Sequence, residues 1–164
     1  MSSVTSRELE RTPTRPLDIL ILRDPRESAK KCSLTPLHGM SGVRFVTYRG
    51  DRRVDAAGRV LLHVDGPELS DADRGHGLLL IDCAWRKVDA LRATVDGEPI
   101  LRRLPALVTA YPRKSRTFAD PSAGLASIEA LYAAVALLGE PHDELLEHYR
   151  WRAEFLRLNP MLAR

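Results

Sequence analysis

The feature of this sequence that most constrains its fold is a near-continuous apolar run at residues 77–82, which reads GLLLID. An apolar run of strand length without polar alternation is typical of a strand buried on both faces, as in a parallel sheet covered by helices. Two runs of similar length lie upstream, LDILILR at residues 17–23 and VRFVTY at residues 43–48. We therefore expect a largely parallel sheet at the centre of the fold.

The remaining segments alternate between strand-like and helix-like patterns. Further strands are expected at residues 59–64 and 104–110, and helices at residues 84–92 and 126–138. A last helix is expected to begin near Pro141, because acidic residues occupy its first turn and apolar residues then recur at helical spacing. This alternation predicts an α/β fold.

The length of 164 residues suits one domain with a sizeable core. Residues 1–16, rich in Ser, Thr, Arg and Pro, are expected to form a flexible arm, and residues 17–164 a single domain. Within it we expect an N-terminal lobe at about 17–76 and a C-terminal lobe at about 77–164. No apolar run has the length of a membrane span or the form of a signal peptide, so a cytoplasmic protein is expected.

Composition narrows the possible chemistry. The formal net charge is +3, and most of the cations are Arg, whose planar fork suits phosphate oxygens; this balance permits RNA binding without establishing it. The two cysteines, Cys32 and Cys83, lie far apart and lack the spacing of zinc ligands, and the histidines are scattered, so no metal site is expected. The common nucleotide-binding, hydrolase and metalloprotease motifs are absent.

Six short segments in a fixed order carry the strongest functional signal. They read KKCS (30–33), LSDAD (69–73), IDCAW (81–85), RLPALVTA (103–110), LASIEAL (125–131) and YRWRAEFLRLN (149–159). Together they resemble the family of ribosomal small-subunit RNA aminocarboxypropyltransferases, whose segments read approximately KKCS/T, LSPAD, DCSW, RxLPxLVAANP, KLSxxEAL and FxWGxxFLELN. The resemblance covers about residues 17–162.

This resemblance implies a fold and a reaction. The implied fold is SPOUT-like, with a C-terminal trefoil knot that cradles S-adenosylmethionine. The implied reaction moves a 3-amino-3-carboxypropyl group from that cofactor to a uridine or modified uridine of small-subunit ribosomal RNA, releases methylthioadenosine and needs no metal. Two alternatives stay open: the sister family with a DTW motif, which acts on transfer RNA, and a catalytically silent RNA-binding assembly factor.

The resemblance also implies a set of cofactor-binding positions. Ser33 matches the Ser or Thr that ends the first segment, and Leu69 matches the Leu of the second, although Asp71 replaces the family's Pro. Ser127 is matched to the Ser or Thr of the fifth segment. The full set is Ser33, Leu69, Leu80, Asp82, Trp85, Leu104, Ala123, Leu125, Ser127 and Ala130. The structural alternative is that the serines cap turns or helices and that the leucines belong to the core.

Asp82 and Trp85 are the expected catalytic residues, since they match the Asp and Trp of DCSW, with Ala84 in place of Ser. A carboxylate at the carboxyl end of a buried strand is costly unless it has a partner or a task. Asp82 is expected to hold the amino group of the cofactor or to help remove a proton from the base. Trp85 offers a flat face to a sulfonium cation or an RNA base, and its structural alternative is a core residue.

The main departure from the family pattern lies at residues 111–124. The family's AANPVNYG is replaced here by the longer TAYPRKSRTFADP, which adds cations. We expect Arg113, Lys114 and Arg116 to bind RNA, because a cationic loop beside the cofactor site is placed to meet phosphates.

Overall fold

The structure is a computed structural model that describes residues 15–112 and 124–163. Its strands are β1 (Ile19–Arg23), β2 (Val43–Thr47), β3 (Val54–Asp55), β4 (Val60–Leu62), β5 (Leu78–Asp82), β6 (Val95–Asp96) and β7 (Ile100–Arg102). Its α-helices are α1 (Val88–Arg92), α2 (Ser127–Leu138) and α3 (Arg152–Leu158). Short 3-10 helices lie at Thr35–Leu37, Asp71–Asp73, Trp85–Lys87, Asp143–Leu146 and Pro160–Leu162.

Five strands form one parallel sheet in the order β2-β1-β5-β4-β7. The two most apolar runs of the sequence give the neighbouring strands β1 and β5, with Ile19 opposite Leu78 and Arg23 opposite Asp82. Strands β3 and β6 pair separately, also in parallel. The prediction of an α/β fold with a largely parallel sheet is confirmed.

The core lies on both faces of this sheet, because successive strand residues point to opposite sides. On one face Ile21 and Leu80 pack in a cluster that also contains α2 and Phe155 of α3. On the other face Leu22 and Leu79 pack with Leu91 of α1. The three-layer arrangement explains why the strand sequences show no polar alternation.

The predicted strand at residues 104–110 is wrong, since this segment has no regular structure, and the isolated bridge to Glu68 is formed by the preceding residue, Arg103. Side chains, and not a neighbouring strand, provide hydrogen-bond partners for the segment's backbone N–H and C=O groups. The Asn159 amide accepts a hydrogen bond from the Val108 N–H and donates one to the Val108 carbonyl, both at 2.8 Å. The Ala110 N–H donates to Glu129 at 2.9 Å. These partners remove the need for a neighbouring strand.

The predicted continuous helix from Pro141 is also wrong in part. Its apolar residues are buried as expected, but the chain forms the 3-10 helix Asp143–Leu146 and begins α3 only at Arg152. The interruption lets the Tyr149 hydroxyl reach Glu129, while Trp151 packs edge-on against Tyr111. The helix predicted at residues 84–92 forms as the 3-10 helix Trp85–Lys87 followed by α1.

Most of the predicted N-terminal arm, residues 1–14, lies outside the described residues. Arg15, near its end, donates its backbone N–H to Glu140 at 2.8 Å and its guanidinium to the Gly75 carbonyl. Within the described ranges, no helix combines the length and the apolar character needed to cross a bilayer.

Candidate active site

The candidate site lies where β1 and β5 end, at the carboxyl edge of the parallel sheet. In open α/β sheets this edge is where ligands bind. Both strands finish on a charged residue, Arg23 and Asp82, and the register places these two residues side by side. Strand pairing therefore brings a cation and an anion together at this edge, where they form an ion pair.

The Asp82 carboxylate is 5% exposed and receives three side chains from different elements. Arg23 Nε lies 3.0 Å from Oδ2, and the Cys32 thiol donates to the same oxygen at 3.3 Å. The Ser127 hydroxyl, in the first turn of α2, donates to Oδ1 at 3.4 Å. These donors satisfy the desolvated charge, so the carboxylate is held in one orientation.

Arg23 has its own set of contacts. Its guanidinium lies over the Phe45 ring at 4.7 Å and donates to Cys32 Sγ at 3.1 Å. Its Nη1 lies 3.3 Å from His38 Nε2, and the His38 ring stacks on Phe45 with centroids 3.7 Å apart. Sequence reasoning missed Arg23, Cys32 and His38. One signal was present: β1, like β5, is an apolar run that ends on a charge.

Ser33 joins the loop after β1 to the start of α2. The residue at the N-cap of α2 is Ala126, which has no side-chain acceptor, and the Ser33 hydroxyl accepts the Ile128 N–H at 3.1 Å instead. Counting back from Glu129 in KLSxxEA also places the family's Ser or Thr at Ala126. The match to Ser127 was therefore one residue late, although its hydroxyl reaches Asp82.

The predicted apolar cofactor positions share the core cluster between the sheet and α2. Leu69 and Leu80 are buried, and Leu104 and Leu125 pack against the same cluster on the α2 side of the sheet. Ala130, on α2, is half-buried. Ala123 lies outside the described residues, as do Arg113, Lys114 and Arg116.

Trp85 follows β5 closely and is 57% exposed, so the alternative that it is a core residue is wrong. It begins the 3-10 helix Trp85–Lys87, whose Ala84 cap follows Cys83. An exposed indole beside a buried carboxylate offers a stacking surface to a planar ligand.

A second charged cluster borders the site. Lys87 Nζ lies 2.6 Å from Asp24 Oδ2, and Asp24 is buried. Burial opposes ionisation of Asp24, but hydrogen bonds from Lys87 and the Arg26 backbone N–H hold its pKa below the usual value. Burial, together with the charges of Asp82 and Asp24, raises the pKa of Glu27.

Both cysteines are free thiols at this edge. Burial raises the pKa of Cys32, and the neighbouring Asp82 adds to that shift. Burial and the charges of Asp24, Glu27 and Asp82 raise the pKa of Cys83 to about 12. Both thiols are therefore protonated at neutral pH, which suits the role of Cys32 as a hydrogen-bond donor to Asp82.

A cavity of about 430 Å³ adjoins Leu69 and the C-terminal half of α2. Its lining residues are Glu68, Leu69, Ser70, Asp71, Arg74, Pro105, Ala136, Leu137, Met161 and Leu162. Asp82 is not among them, since it contacts the opposite end of α2 at Ser127. In the described part of the chain, no cluster of three His, Cys, Asp or Glu side chains has the arrangement of a metal site.

With this geometry in place, comparison with known proteins identifies the family. Residues 60–164 match the family described as ribosome biogenesis protein, C-terminal. The chain belongs to this family. The resemblance found in the six sequence segments is confirmed.

The chain is also similar to named members of the group. It is 36% identical over 98 residues to the 16S rRNA aminocarboxypropyltransferase of Vulcanisaeta distributa, which covers 56% of this chain and 51% of that protein. It is 38% identical over 93 residues to the enzyme of the same name from Halobacterium salinarum, covering 56% and 53%. The chain thus spans about half the length of the curated relatives it matches.

The fold is similar to a solved structure, the SAM-dependent rRNA:acp-transferase Tsr3 from Vulcanisaeta distributa. The TM-score is 0.67 at 29% sequence identity, and the match covers 88% of this chain and 79% of that one. The similarity therefore extends beyond residues 60–164.

Proposed function

We propose that this chain transfers a 3-amino-3-carboxypropyl group from S-adenosylmethionine to a uridine, or a modified uridine, of small-subunit ribosomal RNA in the cytoplasm. The observation that carries the proposal is the Asp82 carboxylate. It is buried at the carboxyl edge of the sheet and held by Arg23, Cys32 and Ser127. The names of the similar proteins supply the reaction class.

The residues at this edge fit S-adenosylmethionine by their chemistry. When bound, this cofactor supplies carbons activated by an adjacent sulfonium. Asp82, Ser127 and Ser33 offer carboxylate and hydroxyl groups to its amino and carboxylate ends, and the first turn of α2 favours an anion. Leu69, Leu80, Leu104 and Leu125 would wall the adenosine, because all four belong to or pack against the apolar cluster on the α2 side of the sheet.

Asp82 has two possible tasks in this reaction. A uridine ring nitrogen carries a proton at neutral pH, and a nearby carboxylate can accept that proton as the nitrogen reacts. The same carboxylate can instead bind the amino group of the cofactor. The hydrogen bonds from Arg23 and Ser127 hold this carboxylate in one orientation, which suits either task.

RNA would approach over the loops that follow β1 and β5. Trp85 is exposed there, and the exposed cations Arg26, Lys30, Lys31 and Arg86 lie on the same two loops. Cations position a phosphate backbone, and an exposed indole can stack on a base. Arg113, Lys114 and Arg116 remain a prediction for the same role.

We also propose the finer fold that the resemblance implies, a SPOUT-like domain whose C-terminal lobe, about residues 77–164, forms a trefoil knot. The parallel sheet and the structural similarity support it. A crystal structure tests it: the backbone path should remain knotted when both chain ends are drawn apart, and an unknotted path would contradict it.

The test of function has two steps. Calorimetric titration with S-adenosylmethionine should show binding, and the cofactor should raise the melting temperature, since it binds only the folded chain. Incubation with small-subunit RNA from a strain lacking this chain, followed by mass analysis of its nucleosides, should show one aminocarboxypropyl-uridine, with chelator present throughout. Modification of transfer RNA alone would indicate the sister activity, and absence of cofactor binding would indicate a silent assembly factor.

A further inference from the structure

Glu129 is a fully buried carboxylate that the site described above does not use. It lies in the first turn of α2 and has no measurable exposure. Burying a carboxylate is costly unless hydrogen bonds replace its lost water. Its partners therefore indicate why the chain keeps a charge at this position.

Four neutral groups donate to Glu129, two to each oxygen. Oε1 accepts the Ala110 N–H and the Tyr149 hydroxyl, both at 2.9 Å. Oε2 accepts the Thr109 hydroxyl at 2.7 Å and the Ala126 N–H at 2.9 Å. Burial, and the bond to Glu129, raise the pKa of Tyr149, which keeps its hydroxyl protonated as a donor.

These donors come from three separate parts of the chain. Residues 109–110 lie in the irregular segment after β7, Ala126 is the N-cap of α2, and Tyr149 precedes α3. Glu129 therefore joins the two ends of the stretch 111–125. Leu104 lies in the segment before this stretch, and Leu125 and Ser127 lie at the start of α2. We propose Leu104 and Leu125 as walls for the adenosine, and Ser127 contacts Asp82.

We propose that Glu129 is a positioning residue for S-adenosylmethionine binding: its carboxylate fixes the segment 104–110 against the start of α2, so that Leu104 and Leu125 keep one separation. This inference rests on the proposed function. In the described residues the segment 104–110 has no strand partner, so side chains set its position, and Glu129 ties it to the helix contacting Asp82. Asn159 anchors the same segment at Val108, on the side of the C-terminal residues.

The test compares Glu129→Gln with Tyr132→Phe. Glutamine keeps the size but turns an amide NH2 toward one hydroxyl and one backbone N–H. The hydroxyl can rotate to accept, but the N–H of Ala110 or Ala126 loses its acceptor, which loosens the join between the two ends. Tyr132→Phe removes another buried hydroxyl bond from α2, to Asp143, that does not touch either end. We expect Glu129→Gln to weaken S-adenosylmethionine affinity at least about tenfold and Tyr132→Phe less than about twofold.

Two further readouts separate positioning from general loss of stability. Because Glu129 does not contact Asp82, the transfer rate at saturating cofactor should fall less than the affinity does. Exchange of the Ala110 and Ala126 amide hydrogens should accelerate in Glu129→Gln while the β5 amides stay protected. Equal loss of affinity in both variants, or unchanged exchange at Ala110 and Ala126, would overturn the inference.

A milder variant covers the case in which Glu129→Gln does not fold. Thr109→Val removes one donor from Oε2 and keeps the shape of the side chain, and affinity should fall about three- to tenfold. An unchanged affinity in Thr109→Val would then overturn the inference. If the parent chain itself does not bind S-adenosylmethionine, the proposed function is wrong. In that case, amide exchange at Ala110 and Ala126, in Glu129→Gln or Thr109→Val, still tests whether Glu129 holds the segment 104–110 against α2.

Discussion

Arg23 and Asp82 are register partners on adjacent strands, and their side chains meet with Nε and Oδ2 3.0 Å apart. Both groups are largely buried, so removal of either leaves a charge without its partner. Breaking a buried pair in this way typically costs about 3–5 kcal/mol. The pair thus couples the stability of the central sheet to the orientation of the carboxylate that we propose for the reaction.

The first prediction concerns Asp82→Asn. If the carboxylate acts chiefly in the transition state, the transfer rate should fall by about 10²–10⁴, while S-adenosylmethionine affinity changes much less. Single-turnover kinetics and calorimetry measure the two effects separately. An equal loss in both would show instead that Asp82 only holds the amino group of the cofactor.

Asp24→Asn is the matched control for that variant. Asp24 is a buried carboxylate at the same sheet edge with a cation partner, but it pairs with Lys87 and not with Arg23. The Asp24→Asn variant should have a lower melting temperature than the parent chain and should retain most of its transfer rate. If Asp24→Asn slowed transfer as much as Asp82→Asn, the effect would come from loss of structure at the edge.

The second prediction concerns the reactivity of the thiols. Because burial and nearby carboxylates raise the pKa of both cysteines, the thiolate fraction at pH 7 is smaller than in a free thiol. Alkylation by iodoacetamide should therefore be slower than that of glutathione at pH 7. The rate should rise with pH, with Cys83 lagging because its pKa is about 12. Mass spectrometry of each peptide measures this, and rapid labelling at pH 7 would contradict it.

The third prediction concerns stability and pH at Asp73. Arg102 Nε lies 3.0 Å from both of its carboxylate oxygens, and the Ser70 N–H donates to it. Burial opposes ionisation, but these hydrogen bonds hold the pKa of Asp73 below its usual value of 3.8. A depressed pKa stabilises the fold above the unfolded-state pKa, and this stabilisation is lost as pH falls through the lower folded-state pKa.

Asp73→Asn should therefore lower the melting temperature at pH 7, and the difference from the parent should shrink below about pH 4. Thermal unfolding followed by circular dichroism at several pH values measures it. A difference that stays constant across this range would show that the ionised carboxylate does not contribute.

The strands that sequence reasoning located are those whose signal is local. β1 and β5 are dense in apolar residues, and burial on both faces makes that density necessary. β2, a half-exposed edge strand, is predicted by its β-branched and aromatic residues. The strand predicted at residues 59–64 is confirmed as β4, whose three residues are all apolar. β3, β6 and β7 are not predicted, because each has two or three residues and one of them is charged. Residues 104–110 have strand-like composition, but Glu129 and Asn159, distant in sequence, decide their conformation.

The candidate site shows the same difference between local sequence signals and contacts between residues distant in sequence. Asp82 could be found from its position at the end of a buried run, because the cost of that burial is visible in the sequence. Its partners could not, since Arg23 reaches it through strand register and Cys32 through the path of a loop. Such contacts depend on the tertiary fold, which no short pattern encodes.

The fourth prediction concerns the cations at residues 113–116. Replacement of Arg113, Lys114 and Arg116 by Ala should weaken RNA binding and flatten its dependence on salt, because fewer phosphates are neutralised. Cofactor affinity should not change. Lys30→Ala with Lys31→Ala removes two of the other cations that we propose for RNA binding, on the exposed loop after β1, and gives a positive reference for the size of the effect. An unchanged salt slope in the triple variant would show that the cations at 113–116 do not contact RNA.

The central claim is that the aminocarboxypropyl group, and not the methyl group, reaches RNA. The most direct measurement supplies S-adenosylmethionine labelled either in its carboxyl carbon or in its methyl carbon, together with small-subunit RNA that lacks the modification. We predict that only the carboxyl label enters RNA and that the methyl label is recovered in methylthioadenosine. Entry of the methyl label into RNA would contradict the proposal and would make this chain an RNA methyltransferase.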